Sequence, residues 1–433
     1  MSLKSVVEKI PFYNQLVLPV HWVQAAAASA KYDFPAKKLR VIAVTGTNGK
    51  TTTCFMIWKM LNEAGRKTGL LTTVGWSEDG EHMHKQFEHM TTERVEILNK
   101  RMRAVADAGA EFLVLETTSH AMMQFRTLGV PVEIAVFTNL THEHLDYHKT
   151  FENYRKAKLK LFKKAKVGVI NADDPSADWF AKAISERKNY ASGDIIRYGV
   201  KRGDLKATWV RLSATGVQYA CGDIKIKTQI PGKFNVYNSL AAVAVGKKVG
   251  LTKQQIEDGI YALTEVEGRM TRVREGQDFE VIVDYAHAPD ALEKVFESVG
   301  KVAGRKTIAV HGGAGRRDPS TRAPRGEILG KNSDVVIITE DDSRDEDPAE
   351  IAAMFVEGAE KAGKVLGKDL LVELDRQKAI EKAVQMARRG DLVLILGKGH
   401  EKTILRADGA HDFEDIKVAK EAIKKRTSLA SGR

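Results

Sequence analysis

Val44-Thr45-Gly46-Thr47-Asn48-Gly49-Lys50-Thr51-Thr52-Thr53 is the stretch that decides how this 433-residue chain folds. It follows an apolar, β-branched run from Val41 and opens a helix-forming segment, so it reads as strand, glycine-containing turn and helix. A helix that starts in such a turn leaves its first backbone N–H groups without intrahelical partners, and these can wrap a triphosphate. In that arrangement Lys50 reaches the terminal phosphate oxygens and Thr51 holds Mg²⁺. The general phosphate-loop pattern has glycine where Val44 stands, so this is a shortened form of it. The strand, turn and helix order disfavours the blander alternative, a glycine-rich turn that only caps a helix.

Moving outward, the length suits two or three domains with ample core. A hydrophobic content of 43% and a charged content of 29% describe an ordinary soluble enzyme. The net charge of +11 favours anionic partners, and nucleotide phosphates satisfy it. The basic residues lie on helical stretches such as 156–166 and 420–426 without interleaved aromatics, which speaks for solvated faces and against nucleic acid. Cys54 and Cys221 are far apart and join no Cys/His cluster, so neither a disulfide framework nor a zinc site is expected. Near the N-terminus Pro11, Asn14, Gln15, Pro19, His21 and Gln24 interrupt any signal-like apolar core. No apolar run approaches the ~20 residues of a membrane span. A cytoplasmic, monomeric protein that does not bind membrane is expected.

The fold expected is α/β throughout, in three parts: a short helical leader at 1–39, a central P-loop-type domain at 40–268, and a Rossmann-like C-terminal domain at 269–433. In the central part, apolar runs at 40–44, 112–115 and 134–138 each end in polar residues: the phosphate turn, then Glu116-Thr117-Thr118-Ser119-His120, then 139–148. Ligands of open α/β sheets gather at the carboxyl ends of strands, so these three ends form one rim. The segments 166–171 and 211–230 complete the domain, the latter as shorter strands around Gly216 and Gly222. The C-terminal part repeats the logic with runs at 280–283, 307–310, 335–339 and 392–396. The boundary falls near Gly268-Arg269-Met270.

Helical spacing over 151–162 gathers Phe151, Tyr154, Lys158, Leu161 and Phe162 on one face. Lys158 thus lies inside an apolar stripe. Spacing alone favours a lysine that snorkels to the helix edge. The alternative is a lysine held inside for chemistry, its pKa lowered by burial and its amine converted by CO₂ to an anionic carbamate.

Taken together, the motifs resemble the Mur ligase superfamily, most closely its E-type branch. They are TGTNGKTTT at 45–53, ETTSH at 116–120, TNLTHEHLDYH at 138–148, YRKAKLKLF at 154–162, NADD at 171–174 and PGKFNVYN at 231–238. Further along come EGRM at 267–270, VDYAHAPDAL at 283–292, RRDPSTRAP at 316–324, TEDDSRDEDP at 339–348 and GKGHE at 397–401. The resemblance implies an ADP-forming ligase that adds an amino acid, meso-diaminopimelate or L-lysine, to a muramoyl-dipeptide-like acceptor through an acyl phosphate. It implies ATP binding by Gly46, Thr47, Asn48, Gly49, Lys50, Thr51 and Thr52, with Asn235, Asn238, Arg269 and Asp284. Thr51, Glu116, His144 and a carbamylated Lys158 would hold Mg²⁺, and Lys50, Glu116, His144 and Lys158 carry the catalysis. Thr91, Thr92, Thr118, Gln124 and Arg126 match acceptor positions. Arg322, Asp341, Asp342, Ser343, Arg344, Gly397 and Glu401 match the amino-acid pocket.

The chain also departs from that pattern. About forty residues precede the phosphate turn, fewer than the ~50 of an ordinary domain, so the front UDP-binding domain of the family is not expected. Asp342-Ser343-Arg344 stands where diaminopimelate enzymes usually show Asn-Pro-Arg, and Asp342 adds a negative charge that favours an ammonium-bearing side chain. Glu93 replaces a frequent proline and Glu143 a usual aspartate. Two other readings compete: a ligase for a UDP-free acceptor of the folylpolyglutamate or poly-glutamate type, and a nucleotide-binding protein without catalysis.

Overall fold

The computed structural model describes residues 17–431 apart from 87–90, 188, 192, 193, 214 and 301. Residues 1–16 of the expected leader lie outside that set. The rest of that stretch forms the helix Leu18–Lys31 and a short 3-10 turn, Pro35–Lys38, which leads into the first strand.

Among the described residues, β1 (Arg40–Thr45), β2 (Thr68–Leu71), β3 (Gly75–Ser77), β4 (His84–Lys85), β5 (Phe112–Glu116), β6 (Val132–Phe137), β7 (Val167–Asn171), β8 (Ile195–Gly199) and β9 (Leu205–Lys206) form one sheet. Its order is β4-β3-β2-β5-β1-β6-β7-β8-β9, and only β3 and β4 run antiparallel to their neighbours. Alternation explains its burial on both faces. Ile42, Val44, Phe112 and Val114 face one core with the helices Lys50–Glu63 and Phe234–Lys248, while Val41, Ala43, Leu113 and Leu115 face the other. Each such Val, Leu, Ile or Phe side chain contributes roughly 1.5–3 kcal/mol on leaving water. The strands β2 and β8 were not anticipated from sequence. In β2 the apolar signal is only Leu70 and Leu71, because Gly69 is needed where a Cβ would meet Val105 at 2.5 Å.

The register builds the site. Val44 pairs with Glu116 and Thr45 with Phe137, so the phosphate turn, Glu116 and Thr138 leave the sheet at one level. A separate antiparallel sheet of β10 (Thr208–Ser213), β11 (Gly216–Cys221) and β12 (Ile224–Thr228) follows.

The second large sheet joins β13 (Thr271–Arg272), β14 (Glu280–Asp284), β15 (Thr307–Gly313), β16 (Val335–Glu340), β17 (Leu370–Val372) and β18 (Leu392–Leu396) in the order β13-β14-β18-β15-β16-β17. All but β13 are parallel. Leu396 stands beside both Asp284 and His311, which aligns these strand ends. Arg376 ties them from behind. It donates to Asp415 at 2.7 and 2.8 Å, to the Glu340 carbonyl at 3.2 Å and to the Leu396 carbonyl at 3.1 Å, with no exposed side-chain surface. A buried charge with four of its five N–H donors directed this way fixes position more than it adds stability. The hairpin β19 (Thr403–Arg406) and β20 (Gly409–Asp412) lies against residues 342–344, Leu405 N donating to Asp342 Oδ1 at 3.1 Å and Arg344 N to the Leu405 carbonyl at 2.9 Å.

Candidate active site

Gly49 ends the phosphate turn at φ +80°, and no side chain caps the helix Lys50–Glu63 behind it. The first amides of that helix are therefore available to an anion. Close approach explains both glycines: a Cβ at Gly46 would lie 1.9 Å from Thr138 Oγ1, and one at Gly49 2.3 Å from Asn238 Oδ1. The turn is held by β6's continuation. Thr47 N donates to the Asn139 carbonyl at 2.8 Å, Asn48 N to Asn139 Oδ1 at 2.9 Å, and Thr138 Oγ1 to the Asn48 carbonyl at 2.7 Å. Beneath it Thr53 Oγ1 donates to Asn238 Oδ1 at 3.3 Å and Asn238 Nδ2 to Asn235 Oδ1 at 2.8 Å. Lys50 Nζ is folded back onto the Thr47 carbonyl at 2.6 Å, and Thr52 is buried in the helix start.

Glu116 is buried against this turn and accepts from Thr51 Oγ1 at 3.1 and 3.0 Å. The backbone N and Oγ1 of Thr73 donate to its Oε2 at 3.1 and 3.0 Å. Sequence reasoning missed Thr73, which follows the equally missed β2. His144 adopts φ +58° and lies 5.0 Å from the His120 ring and 5.9 Å from Tyr154. Burial holds the His144 imidazole below its usual range, with the Glu143 carboxylate opposing. Glu143 sits between His144 at 3.7 Å and His287 at 3.3 Å. Burial alone would raise it, but the neighbouring His144, the hydrogen bond from His287 and the Lys50 charge hold it well below the carboxylate range. The Thr51 hydroxyl and the Glu116 carboxylate, hydrogen-bonded to each other beside the phosphate turn, are oxygen donors that fit a hard divalent cation such as Mg²⁺, whereas the His144 imidazole is a softer donor.

Lys158 does not snorkel. Only 2% of it is exposed, and Nζ donates to the Gly46 carbonyl at 2.7 Å, 4.7 Å above the Tyr154 ring. The spacing had placed it in the apolar stripe; what spacing left out was the carbonyl that rewards its staying there. Burial, then the nearby Lys50 charge, pushes its pKa well below the usual value, while Glu143 and Glu116 act the other way.

Thr92, Thr118, Gln124 and Arg126 form a connected rim beside Glu116. Thr92 Oγ1 donates to the Glu116 carbonyl at 3.1 Å and accepts from Thr118 N at 3.1 Å. Arg126 donates to the Thr92 carbonyl and, at 3.0 Å, to Gln124 Oε1. Thr91 is half-buried next to them.

The second sheet meets the turn directly. Arg269 Nη2 donates to Thr51 Oγ1 at 3.2 Å and its guanidinium stacks 4.5 Å over Tyr285, whose hydroxyl donates to Glu401 Oε1 at 3.3 Å. Asp290 Oδ2, not anticipated although it lies in the 283–292 motif, accepts from Asn48 Nδ2 at 2.7 Å and Thr141 Oγ1 at 3.2 Å. Asp284 accepts from Met270 N at 2.7 Å and Ala286 N at 2.8 Å, which fixes the backbone on either side of the stack. Arg322 is 2% exposed, donates to Glu346 at 2.7 Å, and keeps a buried Nε without a partner. Arg344, at φ +57°, donates to the Gly315 carbonyl 4.0 Å from Asp342. Ser343 N donates to the Asp341 carbonyl at 2.8 Å. Gly397, at φ +115°, leaves room for Asp341, whose Oδ2 would lie 3.1 Å from a Cβ there.

Known proteins resemble this chain in sequence and fold. Residues 44–246 match the Mur ligase middle domain, and residues 268–399 match the Mur ligase glutamate ligase domain. The UDP-N-acetylmuramoyl-L-alanyl-D-glutamate–2,6-diaminopimelate ligase of Syntrophomonas wolfei is 38% identical over 410 residues, covering 92% of this chain and 81% of the relative. The UDP-N-acetylmuramyl-tripeptide synthetase of Roseiflexus sp. is 38% identical with the same coverage of each chain. A solved diaminopimelate ligase aligns with TM-score 0.63 and 30% identity over 94% of this chain and 83% of its own. Folylpolyglutamate synthase of Mycobacterium tuberculosis aligns with TM-score 0.71 at 18% identity over 87% of this chain and 92% of its own, a likeness of fold alone. The chain belongs to the Mur ligase family and is a ligase of its E-type branch.

Proposed function

We propose that the protein joins a diamino acid, 2,6-diaminopimelate or lysine, to the carboxylate of a UDP-muramoyl-dipeptide-like acceptor during peptidoglycan precursor synthesis, converting ATP to ADP and phosphate. The observation that carries this reading is the unbroken set of contacts from Thr51 through Arg269 and Tyr285 to Glu401, which couples the phosphate turn to the second sheet's pocket.

Mur ligases are ATP- and Mg²⁺-dependent. A carboxylate is a poor electrophile, so its oxygen first takes the γ-phosphoryl group of ATP to give an acyl phosphate and ADP. The neutral amine then attacks the acyl carbon, loses a proton, and inorganic phosphate leaves. Lys50 moves from the Thr47 carbonyl to the transferring phosphoryl group, where positioning and charge stabilisation dominate the chemistry. Thr51, Glu116 and His144 would hold Mg²⁺, which would supply further charge neutralisation. Lys158, buried and with its neutral form favoured, is suited to carbamylation, and the resulting anion would help hold that cation. The rim of Thr91, Thr92, Thr118, Gln124 and Arg126 receives the acceptor, while Arg322, Arg344, Gly397 and Glu401 receive the amino acid.

No helix among the described residues is long and apolar enough to cross a membrane. A reaction that consumes ATP fits the cytoplasm, and one chain that furnishes both halves of the site fits a monomer. The test is ADP release across a matrix of acceptors, with and without UDP, and amino acids. Release is expected only when acceptor and diamino acid are both present; ATP turnover indifferent to both would overturn the reading.

A further inference from the structure

Asp341, Asp342 and Glu401 present carboxylate oxygens within 4.8 Å of one another in a largely buried space. Three like charges so close raise one another's energy unless a cation joins them. The chain supplies that cation. Lys398 Nζ donates to Asp341 Oδ1 at 3.2 Å, Asp342 Oδ1 at 2.8 Å and Glu401 Oε2 at 2.8 Å, with none of its side chain exposed. All three ammonium hydrogens are thereby used.

The backbone delivers Lys398 inward. It stands between Gly397 and Gly399, at φ +115° and +56°. A Cβ at Gly399 would lie 2.8 Å from the Gly268 carbonyl, so the lysine's own loop is pressed against the residue before Arg269. Each carboxylate has a further internal partner: Asp341 Oδ1 accepts from Asp342 N at 2.7 Å, Asp342 Oδ1 from Leu405 N at 3.1 Å, and Glu401 Oε1 from Tyr285. Sequence suggests that Asp342 lends its charge to an incoming ammonium. In the structure that charge is met at 2.8 Å by Lys398 and at 4.0 Å by Arg344.

Resting on the function proposed above, we propose that Lys398 is the positioning residue of the amino-acid pocket: a tethered ammonium that locks Asp341, Asp342 and Glu401 together, so that Asp342 balances charge within the pocket and does not discriminate between amino acids. Lys398 acts through these carboxylates, and the pocket is preformed before any ligand arrives.

Three variants test this with KM and kcat measured separately for ATP, lysine and diaminopimelate. Lys398→Met is expected to raise the amino-acid KM by ~10-fold or more, with the ATP KM unchanged within about twofold. Lys398→Met/Asp342→Asn is expected to recover part of that loss, because it removes one uncompensated charge. Asp342→Asn alone is expected to shift KM for lysine and diaminopimelate by the same factor. The proposal fails if Lys398→Met moves both KM values together or neither, if the double variant is no better than the single, or if Asp342→Asn changes the preference between the two amino acids by about tenfold. Should Lys398→Met not fold, the Asp342→Asn arm decides.

A readout free of catalysis separates this claim from the proposed function. n-Propylammonium is expected to raise the Tm of Lys398→Ala and leave the wild type unchanged; equal responses overturn the tethered-ammonium claim even if the enzyme proves to use other substrates. Wild-type protein inactive on every acceptor and amino acid would instead overturn the functional reading.

Discussion

Arg269 donates to the Thr51 hydroxyl at 3.2 Å while its guanidinium lies flat over Tyr285 at 4.5 Å. One side chain thus touches the first turn of the nucleotide helix and the ring that leads to Glu401. Arg269→Ala is expected to lower kcat/KM for ATP by ~10- to 100-fold, since it strips a charge-assisted contact from a largely desolvated site. Arg269→Lys keeps the charge but loses the planar fork and the stack, so it is expected to recover little. Steady-state kinetics with ATP varied checks both, and an Arg269→Lys enzyme with wild-type constants would show that only charge matters here.

Lys158 Nζ rests 2.7 Å from the Gly46 carbonyl with 2% of the residue exposed. If its carbamate orients the cation, Lys158→Ala is expected to reduce turnover by ~10²-fold or more. Acetate or formate added to that variant then places a free carboxylate in the space and restores part of the rate. Circular dichroism should show an unchanged fold. Turnover equal to wild type would leave Lys158 a packing residue whose only work is the bond to Gly46.

The phosphate turn and both parallel sheets were legible because their signals are local: β-branched runs, glycines at forced approaches, polar strand ends. Lys158 shows where locality stops. Periodicity put it on the apolar face, but whether it stays there depends on a carbonyl 112 residues away in sequence. Thr73 escaped because it follows a four-residue strand whose pattern a glycine interrupts. Asp342 shows the same limit: its charge was visible, but the ammonium that meets it comes from a loop 56 residues away. Charge balance in a pocket is a property of the folded neighbourhood, and single-residue chemistry does not reveal it.

Asp290 is a second seam between the two sheets. Its Oδ2 accepts from Asn48 in the phosphate turn, from Thr141 beyond β6, and from Lys294 on its own helix at 2.7 Å. Asp290→Ala leaves the Asn48 amide without this partner and is expected to raise the ATP KM several-fold, at a cost of about 1–3 kcal/mol per unsatisfied group. The second sheet keeps its own core, so the melting transition should move little. A large drop in Tm with unchanged ATP KM would assign Asp290 to stability and remove it from nucleotide binding.

The Lys398 cluster carries a pH signature whose sign is fixed. Burial works to lower the Lys398 pKa, but Asp341, Glu401 and Asp342 together raise it above its ordinary 10.5. Burial works to raise Asp341 above its ordinary 3.8, yet Lys398 and Arg376 bring it below that value. A raised lysine stabilises the fold fully below its unfolded pKa and loses that contribution as pH rises through the folded one; a depressed aspartate stabilises fully above its unfolded pKa and loses that contribution as pH falls through its folded one. The pair's stabilisation is therefore flat between the two ordinary values, 3.8 and 10.5, and declines on both sides as each group approaches its shifted pKa. At neutral pH, Lys398→Met is expected to cost about 3–5 kcal/mol, because it leaves carboxylates buried without their cation. Urea unfolding of wild type and variant across pH checks this. The stability difference should shrink below neutral pH, where the variant's uncompensated carboxylates take up protons, and narrow again as pH rises through the raised Lys398 pKa; a difference unchanged from acid to alkali would mean that Lys398 is not charged where it sits.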